Sequence, residues 1–308
     1  MAVRPRCRCE RARRHALQRC RCADRRPRGL HAAAAPRRGR ALLPRFVQGC
    51  RERGLVAAVR INQLDGDGRD DLAAAMAAGA DVISLPMAER AAQVAELDRA
   101  IGQWESELGG APGAIELLPV CETALGVADL RTIAAASPRI RCALLGAEDL
   151  AHSLCAERSP EGLELEHARR RFVLDARAAG IEPIDAPYTF SDADGAVREA
   201  AHARRLGYRS KSLVRPQHAT AINEALTPSA ADTARAQALV SAFEAARARG
   251  EDRALVDGLW VEVPTGATRS GCCNAPGASR ASPRRRSAAT PRGTLAATAW
   301  RVRAIFHI

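Results

Sequence analysis

The chain has 308 residues and a formal net charge of +12, and aromatics make up only 3% of it. Fifteen arginines against Glu10 and Asp24 put a net +13 on residues 1–50, eight arginines and no acid put +8 on residues 265–308, and the remaining 24 bases and 33 acids leave residues 51–264 at −9. That split excludes a nucleic-acid-binding reading for the body, the lack of any run of ~18–20 apolar residues excludes a membrane span, and the three body cysteines, Cys121, Cys142 and Cys155, exclude a disulfide framework.

In chain order, residues 1–40 are Arg-, Ala- and Pro-rich without a hydrophobic period. The apolar patch at 31–36 is too short for a signal-peptide core, so the protein is expected to be cytoplasmic. Cys7-Arg-Cys9 and Cys20-Arg-Cys22 are spaced more tightly than the cysteine pairs of structural zinc sites. We expect residues 1–40 and 265–308 to be basic segments, disordered or translated out of frame from a GC-rich gene. The body then occupies residues 41–264. It opens with a helix at 41–53 and continues with short apolar runs at 55–62, 81–87, 114–122, 141–149, 182–189 and 210–216. Runs of this length read as strands buried on both faces.

Between the runs lie Ala- and Leu-rich segments with helical spacing at 70–78, 88–108, 125–136, 160–179 and 192–206, and a last helix is expected from 228 to about 249. Gly79, Gly180 and Gly207 follow helix ends, where a left-handed residue is favoured. Repeated βα units build a parallel sheet, open or closed. The fold class is therefore α/β, a (β/α)8 barrel in which two of eight strands are missing, both ahead of residue 55.

In such a barrel the active site lies at the C-terminal ends of the strands. There the sequence places Arg60 with Asn62, Glu122 with Thr123, Glu148 with Asp149, and Asp185 with Tyr188. Glu122 and Asp149, from neighbouring strands, make an oxygen-rich pair that suits Mg2+, which takes one or two carboxylates and keeps other positions for water and substrate. A salt-bridge cluster capping the barrel fits the same residues. Arg60 supplies a cation for a substrate carboxylate or an enolate. Asp185 reads either as a substrate-lining group or as a structural hydrogen-bond acceptor. Lys211, the one lysine of the chain, reads as a CoA-phosphate contact or as a solvated strand-end residue.

These stretches resemble the citrate lyase β-subunit-like family of the HpcH/HpaI aldolase superfamily. The matching segments are Val59-Arg-Ile-Asn62, Leu118-Pro-Val-Cys-Glu-Thr-Ala-Leu-Gly126, Leu145-Gly-Ala-Glu-Asp-Leu150, Pro183-Ile-Asp-Ala-Pro-Tyr188, 211–216 and 222–229, in the family's order. The resemblance implies a (β/α)8 barrel, trimeric or hexameric, that uses Mg2+ to make or cleave carbon–carbon bonds of CoA thioesters such as citryl-CoA or malyl-CoA. It implies metal ligation by Glu122 and Asp149 and substrate contact by Arg60 and Glu122. The chain departs from the family in lacking the first strand's Val-Pro-Gly turn and the acidic second strand. It has Leu85-Pro86-Met87 where Leu-Pro-Lys is usual, Arg215-Pro216 where His-Pro is usual, and Glu262 where an Asp is usual. A CoA-independent, pyruvate-releasing aldolase acting on a small oxo or hydroxy acid, an inactive remnant, and a nucleic-acid binder carried by the two basic ends are the rival readings.

Overall fold

Each of the six apolar runs contains a strand in the computed structural model, which describes residues 35–262 and 304–307. The chain enters through helix α1 (Ala35–Glu52), followed by β1 (Ala57–Arg60), α2 (Gly68–Ala78), β2 (Val82–Leu85), α3 (Ala91–Glu107) and β3 (Glu116–Cys121). Two short helices, α4 (Ala124–Ala128) and α5 (Leu130–Ala135), occupy the single helix expected at 125–136. Next come β4 (Cys142–Leu145), α6 (Glu148–Ser153), α7 (Glu166–Ala178), β5 (Glu182–Asp185), α8 (Ala193–Leu206) and the two-residue β6 (Ser210–Lys211). Helices α9 (Ala219–Leu226) and α10 (Ala230–Ala248) lead to the hairpin of β7 (Ala254–Val256) and β8 (Leu259–Val261). Strand β9 (Ala304–His307) is the last described element.

The large sheet is parallel, with the order β6-β5-β4-β3-β2-β1-β9. Six strands in chain order, each followed by a helix, are the six that the sequence led us to expect; among the described residues the sheet does not close into a barrel of eight. β9 pairs with β1, Ala57 opposite Ala304 through Arg60 opposite His307. Helix α1 begins ahead of residue 41, and Arg40 is already engaged: its Nε donates to the buried Asp71 at 2.7 Å. The cysteine pairs at 7–9 and 20–22, Cys272-Cys273 and the arginine run at 284–286 lie outside the described residues. No helix among the described residues is long and apolar enough to cross a membrane.

Side chains alternate across the strands. Ala58, Val82, Leu118, Val120, Cys142, Leu144 and Ile184 form one buried cluster. Their neighbours Val59, Ile83, Leu117, Cys121, Ala143 and Leu145 belong to the larger core that also contains Leu97, Ile133 and Phe172 of the helices. Pro119 sits in the middle of β3, a position where a proline usually breaks a ladder. Here the pairing with β2 ends at Pro119 and the pairing with β4 starts at Val120, so the missing N–H falls where the strand changes partners. Gly79 and Gly207 end α2 and α8 at φ +77° and +106°, as expected of their positions.

Two features tie α3 to the strand that follows. Arg139 donates to both oxygens of the buried Glu105 at 2.7 Å each, and the amides of Gly113 and Ile115 donate to the same carboxylate at 2.9 and 3.0 Å. Burial alone would push this carboxyl up, but the four donors outweigh it and hold the pKa at about 2. A group whose pKa is lower folded than unfolded stabilises above its unfolded value and loses that contribution as pH falls toward the folded one. We expect about 3 kcal/mol to be lost between roughly pH 4.5 and 2 through this group. Urea midpoints measured across that range check it: the slope in this window should be shallower in Glu105→Gln than in the wild type.

Candidate active site

Period-two alternation puts Arg60 on the same sheet face as Ala58, and Glu122 on the same face as Val120. The two side chains meet there: Arg60 Nη2 donates to Glu122 Oε1 at 3.0 Å. A second donor reaches the same oxygen. The turn after β2 runs Pro86-Met87, and the Met87 amide donates to Glu122 Oε1 at 3.0 Å. The turn is held against β3 by the Ala88 amide, which donates to Val120 O at 3.0 Å. Ser84, directly across the ladder from Arg60, has a buried hydroxyl with no hydrogen-bond partner among the described residues.

Both donors to Glu122 use Oε1, and the ground next to Oε2 is kept clear by Gly146. A Cβ at Gly146 would lie 2.3 Å from Glu122 Cβ and 3.4 Å from its Oε2. Gly146→Ala is therefore expected to push Glu122 aside and to cost about 1–3 kcal/mol of stability, as overpacking does; a denaturant melt of the variant checks it. Asp149 comes from the neighbouring unit. Glu148 and Asp149 do not end β4 but open α6, where negative charge meets the helix N-terminus favourably. Burial pushes the Glu122 carboxyl up, the Arg60 charge and the Met87 amide pull it back, the Asp149 charge adds to the rise, and the net shift is upward.

A pair of carboxylates with one oxygen left open suits Mg2+, which needs no more than two and fills its octahedron with water and substrate oxygens. Among the described residues no group of three or more His, Cys, Asp or Glu could hold a metal, so ligand sets built on three or four protein side chains do not fit. The donor set is compatible with a hard oxygen-seeking cation and with little else.

The structure brings Arg60 and Glu122 together with Asp149 nearby, and it sends other predicted groups elsewhere. Asp185 lies on the opposite face of the sheet from its neighbour Ile184, against α7 and α8. Arg169 grips it in bidentate fashion, Nε to Oδ1 at 2.9 Å and Nη2 to Oδ2 at 2.7 Å. Lys211 is neither solvated nor free for phosphate: its buried ammonium donates to Asp185 Oδ2 at 2.7 Å and to Glu199. Asn62 holds the β1–α2 loop through Asp71, which accepts from its amide nitrogen and side chain at 3.0 and 2.7 Å. Cys121 is a buried hydrophobe whose thiol is pushed up to about 12 by burial and the Glu122 charge.

Sequence reasoning missed the Met87 amide, since a backbone donor leaves no trace in residue type. It also missed Gln63 and Gln93, which bind the same turn. Gln93 did carry a signal, its place three residues after the N-cap of α3, the position of a capping box.

Known proteins resemble this chain in sequence and in fold. The family model described as HpcH/HpaI aldolase/citrate lyase matches residues 31–216. The citrate lyase subunit beta of Escherichia coli (strain K12) is 36% identical over 214 residues, 69% of this chain and 71% of the relative. The (3S)-malyl-CoA thioesterase of Cereibacter sphaeroides (strain ATCC 17025) is 34% identical over 209 residues, 67% of this chain and 69% of the relative. Among solved structures, CitE from Mycobacterium tuberculosis in complex with magnesium, acetoacetate and coenzyme A matches at a TM-score of 0.57 and 28% identity, covering 70% of this chain and 76% of that one. A citrate lyase from Burkholderia xenovorans LB400 shares the fold at a TM-score of 0.68 and 19% identity, with 80% of each chain covered.

Proposed function

Because the chain belongs to the HpcH/HpaI aldolase/citrate lyase family, we propose that it is a Mg2+-dependent carbon–carbon lyase acting on a CoA thioester such as citryl-CoA or malyl-CoA. The observation that carries the reading is Glu122, with one oxygen fixed by Arg60 and the Met87 amide and the other left open beside Gly146. Relatives whose names specify citrate lyase and malyl-CoA chemistry, and a magnesium and coenzyme A complex of a relative, support it.

Glu122 and Asp149 would hold the metal, which when bound stabilises negative charge on substrate oxygens. Arg60 does two things at once. It fixes the rotamer of Glu122, and its partly exposed guanidinium presents the remaining N–H groups to the substrate. Cleavage of a 3-hydroxyacyl thioester breaks the bond between the carbons α and β to the thioester carbonyl. The electron pair passes to a thioester enolate while the hydroxyl carbon becomes a carbonyl as its proton passes to solvent, and the enolate carbon then takes up a proton from solvent to give the shorter acyl thioester. Arg60 is the cation placed for the enolate oxygen or for the substrate's carboxylate. The enzymatic body is residues 41–264 together with the start of α1 from Ala35, the protein is cytoplasmic, and it works as a homotrimer or hexamer.

The experiment incubates the full chain with malyl-CoA and with citryl-CoA, with Mg2+ or with EDTA, and follows products by mass spectrometry. Acetyl-CoA with glyoxylate or oxaloacetate, formed only with Mg2+, is the expected result. Free CoA with intact malate would instead show a thioester hydrolase. Turnover of free hydroxy-oxo acids alone would show the CoA-independent, pyruvate-releasing aldolase. An inactive remnant is the reading favoured by the sheet that the described residues leave open, and no turnover of any of these substrates would establish it.

A further inference from the structure

The turn that aims the Met87 amide is held by two glutamines. Met87 itself has φ +47°, a left-handed conformation that costs a residue with a Cβ about 1–2 kcal/mol, so the turn needs outside support to persist. Gln63 Nε2 donates to Pro86 O at 2.5 Å. Pro86 C=O and Met87 N–H belong to one peptide group, which is planar and trans, so the two point in opposite directions from the same rigid plate. Pinning the carbonyl from one side aims the N–H at Glu122 on the other. Gln93 Nε2 donates to the next carbonyl, Met87 O, at 3.2 Å and to Gln63 Oε1 at 3.3 Å. Its Oε1 accepts the amides of Glu89 and Arg90, both at 2.9 Å. The two side chains thus clamp both faces of the strained residue and bond to each other.

We propose that Gln63 and Gln93 are positioning residues for Glu122, acting through the Met87 peptide, so that the orientation of the open carboxylate oxygen depends on side chains that touch neither metal nor substrate. This rests on Glu122 being a metal ligand. Groups that orient a ligating carboxylate typically matter by 10–100-fold in metal affinity, which sets the size of the effect to look for.

The test separates clamping from helix capping. Gln93→Glu keeps an oxygen for the Glu89 and Arg90 amides but loses the donors to Met87 O and Gln63; Gln63→Leu removes the other donor and no cap. On the full-length chain, three quantities are measured: the melting temperature, the hydrogen-exchange rate of the Met87 amide, and Mg2+ affinity by calorimetry. Both variants are expected to melt within a few degrees of wild type, to exchange Met87 at least ~10-fold faster, and to bind Mg2+ at least ~10-fold more weakly. Wild-type exchange and Mg2+ affinity in both variants would show a capping role only and overturn the proposal. Wild-type protein that binds no Mg2+ would sink the functional reading and the metal half of this one, while the Met87 exchange rate still decides whether the glutamines hold the turn.

Discussion

Glu122→Gln is expected to lower kcat/KM for Mg2+-dependent thioester cleavage by roughly 10³-fold or more, the loss of about 4 kcal/mol of charge stabilisation, while leaving the protein folded. The substitution keeps the size of the side chain and removes the charge that would hold the cation. Stability should move the other way. Burial, first of all, raises the pKa of this carboxyl in the fold, and an acid with a raised folded pKa opposes folding once the pH exceeds its ordinary value. At pH 7 the variant should therefore melt no lower than wild type, and slightly higher, the pattern of a site kept for activity at some expense of stability. Steady-state kinetics and a thermal melt of the same preparation check both halves. Activity within about tenfold of wild type would remove Glu122 from the site, and a melting point many degrees lower would make it a structural residue.

The second large effect lies in the ion cluster between the sheet and helices α7 and α8. Asp185 accepts from Arg169 and Lys211, and Glu199 neighbours both cations. Asp185→Asn leaves two buried cations facing one carboxylate. Removing one partner of a buried pair costs about 3–5 kcal/mol, and for a body of this size the melting temperature should fall by roughly 10 °C. Burial pushes the Asp185 carboxyl up, but the charges of Lys211 and then Arg169 outweigh it and the net shift is downward. Its stabilising contribution is accordingly complete above the usual aspartate range and is lost as pH falls below it. The fraction that stays folded should show an unchanged KM, because the side chain faces away from Arg60 and Glu122. A melting point within about 2 °C of wild type would mean the cluster is not what holds α7 and α8 to β5. A raised KM with intact stability would return Asp185 to the substrate.

Much of the architecture was legible because burial on both faces leaves little choice of residue. Runs such as those containing Val82–Leu85 and Cys142–Leu145 are buried at every position. What misled was the tail of each run. Glu148-Asp149 continues an apolar stretch in sequence but takes helical backbone, since β4 ends at Leu145 and acids favour a helix start. Arg60 and Glu122 were legible as members of one strand-end cluster because polar groups at strand ends converge, although the close pair expected there was Glu122 with Asp149 and the direct Arg60–Glu122 contact was not foreseen. Asp185 read the same way, and nothing local distinguishes it from Glu122. Its face is decided by register with Ile184 and by Arg169 sixteen residues earlier on α7, a contact that spacing alone does not reveal. The helix at 219–226 and the hairpin at 254–261 were not foreseen as such. Both are short, eight residues for the helix and three for each strand of the hairpin, too short for a period to show.

The change of partners at Pro119 has a consequence for how this site can be altered. The groups bonded to one oxygen of Glu122, Arg60 and the Met87 amide, sit on the ladder that joins β1, β2 and the first half of β3. The backbone next to the other oxygen, at Gly146, follows β4, which joins only the second half. The seam between two hydrogen-bonded blocks thus runs through the strand that leads into Glu122. Sequence drift on one block can retune what grips the carboxylate without redrawing the backbone bonds that place its open side. The grip on the carboxylate and the space beside it can in that way change one flank at a time.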